Sequence, residues 1–334
     1  MKAGANDDPG PLSMDEVFVE RRARPQPSLR SHAGTRRSLT LISAMAIAAA
    51  FGACSGEGPT GLLPSASDAA PSTKVELEFL GKMVGANEPE GTYPGFDTNE
   101  YPGDDVMQKW LDAGPYRWVG YYLPAPCHKD QSWMGKRQLL ERMGWGLAVI
   151  YVGQQTWDQR IMTRPPVDPL TVPLDKCGRE LVSGPRGRLE GDDAIRATKA
   201  EGFPPGSVIF LDIERMETMP PRMRDFYIEW TRRVMEEGTY RVGYYAHAHN
   251  ANAIFADVRA LLDTMGFKEF EPPFWISSAA RAKAFSISKA PADVGHAFAH
   301  VWQGVIDVVE GRAGIRLPID VNVARTPNPS MPVR

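Results

Sequence analysis

Residues 207–214 read Ser-Val-Ile-Phe-Leu-Asp-Ile-Glu, an apolar run that ends in two acidic positions. This run predicts a buried β-strand. Alternate side chains of a strand share a face, so Asp212 and Glu214 should project together from its carboxyl end, with Ile213 turned into the packing. Two carboxylates placed in this way suit acid–base chemistry better than they suit a core. The alternative is a pair that caps the next helix or forms a salt bridge with Arg215.

Seven further β-rich runs accompany this strand, and most are continuously apolar, which is typical of parallel strands covered by helices. They occupy residues 95–98, 118–123, 147–152, 242–246, 274–277, 299–303 and 319–323. Amphipathic stretches lie between them at 104–113, 135–143, 192–201, 221–236 and 250–265, and a weaker helical stretch, 281–290, precedes the last two strands. Asp192 occupies the N-cap position of the third stretch.

This alternation predicts an α/β fold, a (β/α)8 TIM-like barrel of about 230 residues. The link between the last two strands shows no clear helix, so the final units should be irregular. A doubly wound open sheet is the competing topology, but no glycine-rich nucleotide loop follows the first strand. We therefore place the barrel domain at residues 90–326 and expect residues 327–334 to be a tail.

The amino-terminal 53 residues predict an export signal. Arg36 and Arg37 precede an apolar run, 39–53, that is too short to span a bilayer and suits a signal peptide of the twin-arginine type. Gly52 and Ala53 before Cys54 resemble a lipoprotein box, which would make Cys54 the lipidated membrane anchor. An ordinary signal peptide or an uncleaved anchor is the alternative. Residues 54–80 are expected to be a flexible tether, and the protein should lie in the cell envelope, periplasmic or on the outer face.

Composition narrows the range of partners. The chain has 38 Lys and Arg residues against 41 Asp and Glu residues, a formal charge of −3, which lacks the basic footprint of a nucleic-acid binder. We expect a monomer with no cofactor and no metal.

In an exported protein Cys127 and Cys177 should form a disulfide, the alternative being two unrelated buried thiols. Residues 153–191 are too long for an ordinary βα connection and should form a lid or specificity loop over the barrel.

Polar residues at the predicted strand ends are the candidate site, because barrels build their chemistry where strands meet the βα loops. Closure makes the eighth strand a neighbour of the first, and acids gathered there should raise the pKa of at least one of them. The spacing of His247 and His249 suits metal ligation, yet without a matching cluster we favour a cleft histidine followed by a helix start. The polar candidates are Asp97, Asp212, Glu214, His247, Gln303 and Asp320, and the aromatic candidates for stacking on sugars are Tyr122, Tyr151, Tyr245 and Trp302.

The order of five short motifs resembles the glycoside hydrolase family 25 lysozymes. They are Gly-Phe-Asp, Leu-Asp-Ile-Glu, Phe-Trp-Ile-Ser, Val-Trp-Gln and Ile-Asp-Val-Asn, spread over residues 94–323. The chain resembles still more a related family, the glycoside-hydrolase-like domain once catalogued as domain of unknown function 1906. The stretch 191–206 before the acidic strand is also similar to that family, whereas the 153–191 insertion is not a lysozyme feature.

This resemblance implies hydrolysis of β-1,4 bonds next to N-acetylated sugars in peptidoglycan. It implies that Glu214 is the catalytic acid, that Asp212 steadies the reacting N-acetyl group, and that Asp97 and Asp320 support them. Domains of this kind can also bind glycans without cutting them. A non-catalytic glycan-binding lipoprotein is therefore the alternative, and a metal-dependent hydrolase using His247 and His249 is a third hypothesis.

Overall fold

A computed structural model describes residues 91–156, 168, 171–278 and 284–331 of the chain. The predicted signal peptide, the lipidation site Cys54 and the tether lie outside the described residues. Within the described ranges, no helix has both the length and the apolar character that crossing a bilayer requires.

Eight strands close into one barrel, each pairing with the next and the last with the first. The strands are β1 (Tyr93–Asp97), β2 (Trp118–Tyr122), β3 (Gly146–Tyr151), β4 (Val208–Ile213), β5 (Arg241–His247), β6 (Phe274–Ser277), β7 (Ala299–Arg312) and β8 (Ile315–Ala324). The helices are α1 (Asp104–Ala113), α2 (Arg137–Met143), α3 (Gly184–Ala200), α4 (Pro221–Glu237) and α5 (Ala248–Thr264). The predicted barrel is confirmed, and the open-sheet alternative is wrong.

The eighth strand does not run in the predicted direction. Strands β1 to β7 are parallel, but β8 is antiparallel to both β7 and β1. Ala313 and Gly314 connect β7 to β8, and both have positive φ values, 49° and 77°. A two-residue loop with positive φ at both positions joins antiparallel strands with the correct twist. This hairpin replaces the last βα unit, and it explains why the sequence has no helical pattern there.

Large side chains fill the barrel interior, and glycines on the same strands make room for them. A Cβ atom on Gly95 would lie 2.1 Å from the ring of Trp118. The Trp118 ring meets that of Trp275 edge to face, with 5.3 Å between centroids. A Cβ atom on Gly120 would lie 2.7 Å from the Cβ atom of Asp97. The barrel is thus a packed core, and the glycine at position 120 leaves the space that the Asp97 side chain needs.

Helix α3 begins eight residues earlier than predicted. Ser183, not Asp192, occupies its N-cap position, and Asp192 lies within the helix, where it accepts a hydrogen bond from Arg233 Nε at 2.8 Å. The additional amino-terminal part of the helix contains glycines that contact α4: a Cβ atom on Gly187 would lie 2.1 Å from the Phe226 carbonyl oxygen. Close helix packing therefore accounts for the glycines. The other predicted helix, at 281–290, is wrong over its described residues 284–290.

The predicted tail is part of the barrel as far as Met331. Ser330 is fully buried, and its backbone N–H donates to the Leu147 carbonyl oxygen at 3.0 Å. Its own carbonyl accepts from Val208 N at 2.7 Å, and its hydroxyl oxygen accepts from Val149 N at 2.7 Å. Ser330 thereby closes the gap between the amino ends of β3 and β4, at the end of the barrel opposite the acids.

Candidate functional site

Asp97 is the centre of a hydrogen-bond network at the carboxyl end of β1. Its side chain is 6% exposed and accepts three hydrogen bonds. The Tyr122 hydroxyl donates at 2.8 Å, Gln303 Nε2 at 3.2 Å and Asn322 Nδ2 at 2.9 Å. These donors come from β2, β7 and β8, so one carboxylate ties together four strands at the barrel end that we call the mouth.

Asp320 reaches the mouth because β8 is antiparallel. It lies directly opposite Asp97 in the β1–β8 register. One carboxylate oxygen accepts from Gln303 Nε2 at 3.0 Å, and the other accepts from the backbone N–H of Asp307 at 2.7 Å. A parallel eighth strand would have placed Asp320 near its amino end, away from the mouth. The structure thus places Asp320 at the mouth, although the predicted strand direction does not account for this position.

Asp212 and Glu214 lie on the opposite wall of the mouth. Both are half-buried, while Ile213 between them is fully buried on the other face, as the strand alternation predicted. Asp212 pairs in register with Tyr245 of β5. The Tyr245 hydroxyl donates to Gln303 Oε1 at 2.7 Å, so Gln303 links the β4–β5 wall to Asp97.

The pKa values of two tyrosines at the mouth respond to the negative charges around them. Burial raises the pKa of Tyr122 well above its usual value, and the negative charges of Asp97, Asp212 and Asp320 raise it further. Burial also raises the pKa of Tyr245, followed by the charges of Glu214 and Asp212. The four acids Asp97, Asp212, Glu214 and Asp320, which we call the acid cluster, therefore act on the same small volume. Their negative charge disfavours ionisation of both phenols.

His247 has a local structural role at the end of β5. Its Nδ1 atom accepts the backbone N–H of His249 at 3.0 Å and so caps helix α5. The Nε2 atom of His249 is bonded in turn to the Glu217 carbonyl oxygen at 3.0 Å. Among the described residues, no group of three or more His, Cys, Asp or Glu side chains is arranged to hold a metal ion.

We expect His247 to remain neutral at every pH above about 5. Burial lowers its pKa to about 4, and the positive charges of Arg215 and His249 add to the effect. Because the unfolded chain takes up the proton near pH 6.5 and the folded chain does not, this group should reduce stability as the pH falls from 6.5 towards 4. NMR titration of the histidine ring signals tests this, with the signal that is lost in His247→Ala assigned to His247. A His247 midpoint at or above 6 would contradict the prediction.

Two of the aromatic residues predicted to stack on sugars do not reach the mouth. Tyr151 is fully buried, and its hydroxyl donates to Asp193 Oδ2 of α3 at 3.0 Å. Trp302 is also fully buried and packs edge-on against Phe285 at 5.0 Å. Trp302 is adjacent to Gln303 on the strand, so it points to the opposite face. These two assignments were wrong, whereas Tyr122 and Tyr245 both lie at the mouth.

Two amide side chains at the mouth were not among the site residues predicted from the sequence. Asn322 lies two residues after Asp320, so the strand alternation that paired Asp212 with Glu214 also predicts its orientation. Its Oδ1 atom accepts from Trp275 Nε1 at 2.9 Å, while its Nδ2 atom binds Asp97. The second amide, Gln155, lies beyond the end of β3 inside the insertion, and no motif marks it.

A protein-family model matches most of the barrel sequence. The model for the Rv2525c-like, glycoside hydrolase-like domain matches residues 108–324. The chain belongs to this family. The matched range of the Rv2525c-like, glycoside hydrolase-like domain includes Asp212, Glu214 and Asp320, while Asp97 precedes it. The resemblance drawn from the sequence motifs is thus confirmed. No curated protein matches the chain.

Several solved structures are similar to this chain at low sequence identity. The spore cortex lytic enzyme SleM of Clostridium perfringens is 13% identical, with a TM-score of 0.47, over 71% of this chain and 68% of that one. The Tat-secreted protein Rv2525c of Mycobacterium tuberculosis is 15% identical, with a TM-score of 0.41, over 72% and 99%. A muramidase from Acremonium alcalophilum is 14% identical, with a TM-score of 0.35, over 69% and 92%.

Proposed function

We propose that this chain is an exported glycoside hydrolase that acts on peptidoglycan or another N-acetylated glycan. The observation that carries the proposal is the acid cluster at the mouth, with Asp97 buried in a hydrogen-bond network and Asp212 and Glu214 half-buried beside it. Membership of a glycoside hydrolase-like family supports the same reaction class. The paired arginines 36–37 and the Gly-Ala-Cys sequence at 52–54 support export and a lipid anchor at Cys54.

In the proposed reaction, Glu214 is the general acid and Asp212 orients the substrate's acetamido group. Glu214 donates its proton to the glycosidic oxygen as the bond to the anomeric carbon breaks, and the acetamido oxygen forms a new bond to that carbon. Water then attacks the anomeric carbon and gives a proton to the Glu214 carboxylate, while the bond to the acetamido oxygen breaks. Asp97 and Asp320 act through their bonds to Gln303 and Tyr122, which fix the walls of the mouth.

Substrate contacts in this proposal come from polar groups around the acids, of which Tyr245 and His247 are half-buried and Gln303 is 2% exposed. Tyr245, His247 and Gln303 are the proposed sugar-binding residues. Tyr122 is only 9% exposed and its ring stacks on His128 with 4.7 Å between centroids. It therefore contributes its hydroxyl bond to Asp97 more than a stacking surface.

Turnover of purified peptidoglycan by the full chain tests the proposal. We expect new reducing ends at N-acetylated sugars, measured by a reducing-sugar assay and by mass spectrometry of the released fragments. Chemically de-N-acetylated peptidoglycan is the matched control, and it should not be cut because the acetamido oxygen is missing. If the chain cosediments with peptidoglycan but releases no reducing ends, the hydrolase proposal fails and a glycan-binding function replaces it.

A further inference from the structure

The catalytic strand β4 is held differently on its two sides. On the β5 side, backbone pairing continues to the end of the strand, where Ile213 pairs with Ala246. On the β3 side, pairing stops at Tyr151 and Leu211. Beyond that point, the side chain of Gln155 bonds to the backbone of β4 in place of a strand residue. Its Nε2 atom donates to the Asp212 carbonyl oxygen at 2.8 Å, and its Oε1 atom accepts from Glu214 N at 3.2 Å.

The Gln155 amide reproduces one rung of a parallel β-ladder. In such a ladder, a residue donates to the carbonyl before its partner and accepts from the N–H after it. The Gln155 amide makes both bonds around Ile213, so it substitutes for the missing strand residue. Gln155 is 2% exposed, so losing the amide would leave both backbone groups without this partner where water has little access.

The preceding residue connects this rung to the insertion. Gln154 is fully buried, and its Nε2 atom donates to Glu190 Oε1 and to the Lys176 carbonyl oxygen, both at 2.7 Å. Its Oε1 atom accepts from Gly178 N at 2.8 Å. A disulfide between Cys127 and Cys177 joins the same part of the insertion to the loop after β2.

A buried arginine organises the described part of the insertion. Arg186 of α3 has no exposed surface and donates through Nε to Glu190 Oε1 at 2.6 Å. Its guanidinium also donates to backbone carbonyl oxygens of residues 172, 173, 174 and 176. The chain before Cys177 is thus fixed to α3, and the residues on both sides of Cys177 bond through Gln154 to the end of β3.

We propose that Gln155 is a positioning residue for Glu214, and that residues 172–178 of the insertion form a brace that holds Gln155 against the end of β4. This inference rests on the proposed function, because it treats Glu214 as the general acid. The insertion was predicted to be a lid or specificity loop, and residues 157–167 and 169–170 of it lie outside the described residues; residues 172–176 bond to Arg186 of α3 and to Gln154. A fixed backbone at Glu214 matters because a misplacement of about 1 Å in a catalytic group costs on the order of 10²-fold in rate.

The test compares Gln155→Leu and Gln155→Asn with Asn328→Ala. Leucine removes both bonds, and asparagine keeps the amide but is one methylene too short to span them. Asn328 Oδ1 accepts from Leu147 N at 2.9 Å at the opposite end of β3, so its variant loses a bond of the same kind far from the acids. Hydrogen exchange in peptides covering 208–216 is measured without substrate, and kcat and KM are measured on peptidoglycan.

In both Gln155 variants we expect exchange of the Glu214 amide to accelerate about tenfold, the effect of one lost hydrogen bond. We also expect kcat to fall by at least tenfold with KM nearly unchanged, whereas Asn328→Ala should alter neither. If hydrogen exchange at the Glu214 amide is unchanged, the Gln155 side chain does not protect that amide, and the proposed ladder rung is wrong. Faster exchange with unchanged kcat overturns the positioning role. If the native chain cuts no glycan, the proposed function fails, and the exchange result still decides whether the rung exists.

Discussion

Glu214→Gln should lower kcat on peptidoglycan by about 10²- to 10⁴-fold, the range typical of a lost general acid. Glutamine has nearly the same shape but cannot release a proton to the glycosidic oxygen. The backbone of residue 214 keeps its bond to Gln155, so the fold and the affinity for glycan should both be retained. Initial rates of reducing-end formation measure the first effect, and cosedimentation with insoluble peptidoglycan measures the second.

Glu217→Gln is the matched control for this substitution. Glu217 lies three residues further along, is exposed, and forms a surface ion pair with Arg215 at 2.9 Å. Removing that pair should leave kcat within about twofold, because exposed ion pairs contribute little. Equal losses in both variants would indicate a general effect of charge near the mouth. Full activity of Glu214→Gln would exclude Glu214 as the acid.

The barrel and its acids were predictable from sequence because both depend on local patterns. Continuous apolar runs predict buried parallel strands, and the i, i+2 spacing places Asp212 and Glu214 on one face. The same rule, applied to Trp302 and Gln303, shows that only one of the two can face the mouth. The prediction for Tyr151 was wrong for the same reason. Its position at the end of a strand does not decide where its side chain points, because alternation along the strand assigns it to one face.

Long-range contacts account for what the sequence did not predict. The direction of β8 depends on a two-residue turn at Ala313 and Gly314. So short a turn is a weak sequence signal, and the pattern of the other seven strands favoured a parallel eighth strand. The predicted start of α3 at Asp192 was eight residues late, since nothing local shows that Phe226 packs against Gly187. Gln155 binds residues 57 and 59 positions away. No local pattern marks a side chain that completes the ladder of a distant strand.

Arg186→Ala should lower the free energy of unfolding by about 3–5 kcal/mol, the cost of stranding one partner of a buried ion pair. Arg186 and Glu190 have no exposed side-chain surface, and the arginine also serves carbonyl oxygens of the insertion. Urea unfolding followed by tryptophan fluorescence measures the loss. Arg188→Ala is the matched control on the same helix: its side chain is 41% exposed, so its pair with Glu236 should contribute at most about 1 kcal/mol.

The stability loss in Arg186→Ala should also depend on pH. Burial already raises the pKa of Glu190 above its ordinary value of 4.5, and the guanidinium opposes that shift in the native protein. Without Arg186 the folded chain keeps a proton on Glu190 that the unfolded chain releases, so its stability falls as the pH rises, by up to about 1.4 kcal/mol per unit. The loss relative to the native protein should be larger at pH 8 than at pH 5. Adding Glu190→Gln should remove this pH dependence, and a loss that is the same at both pH values would show that an unpaired Glu190 charge is not its cause.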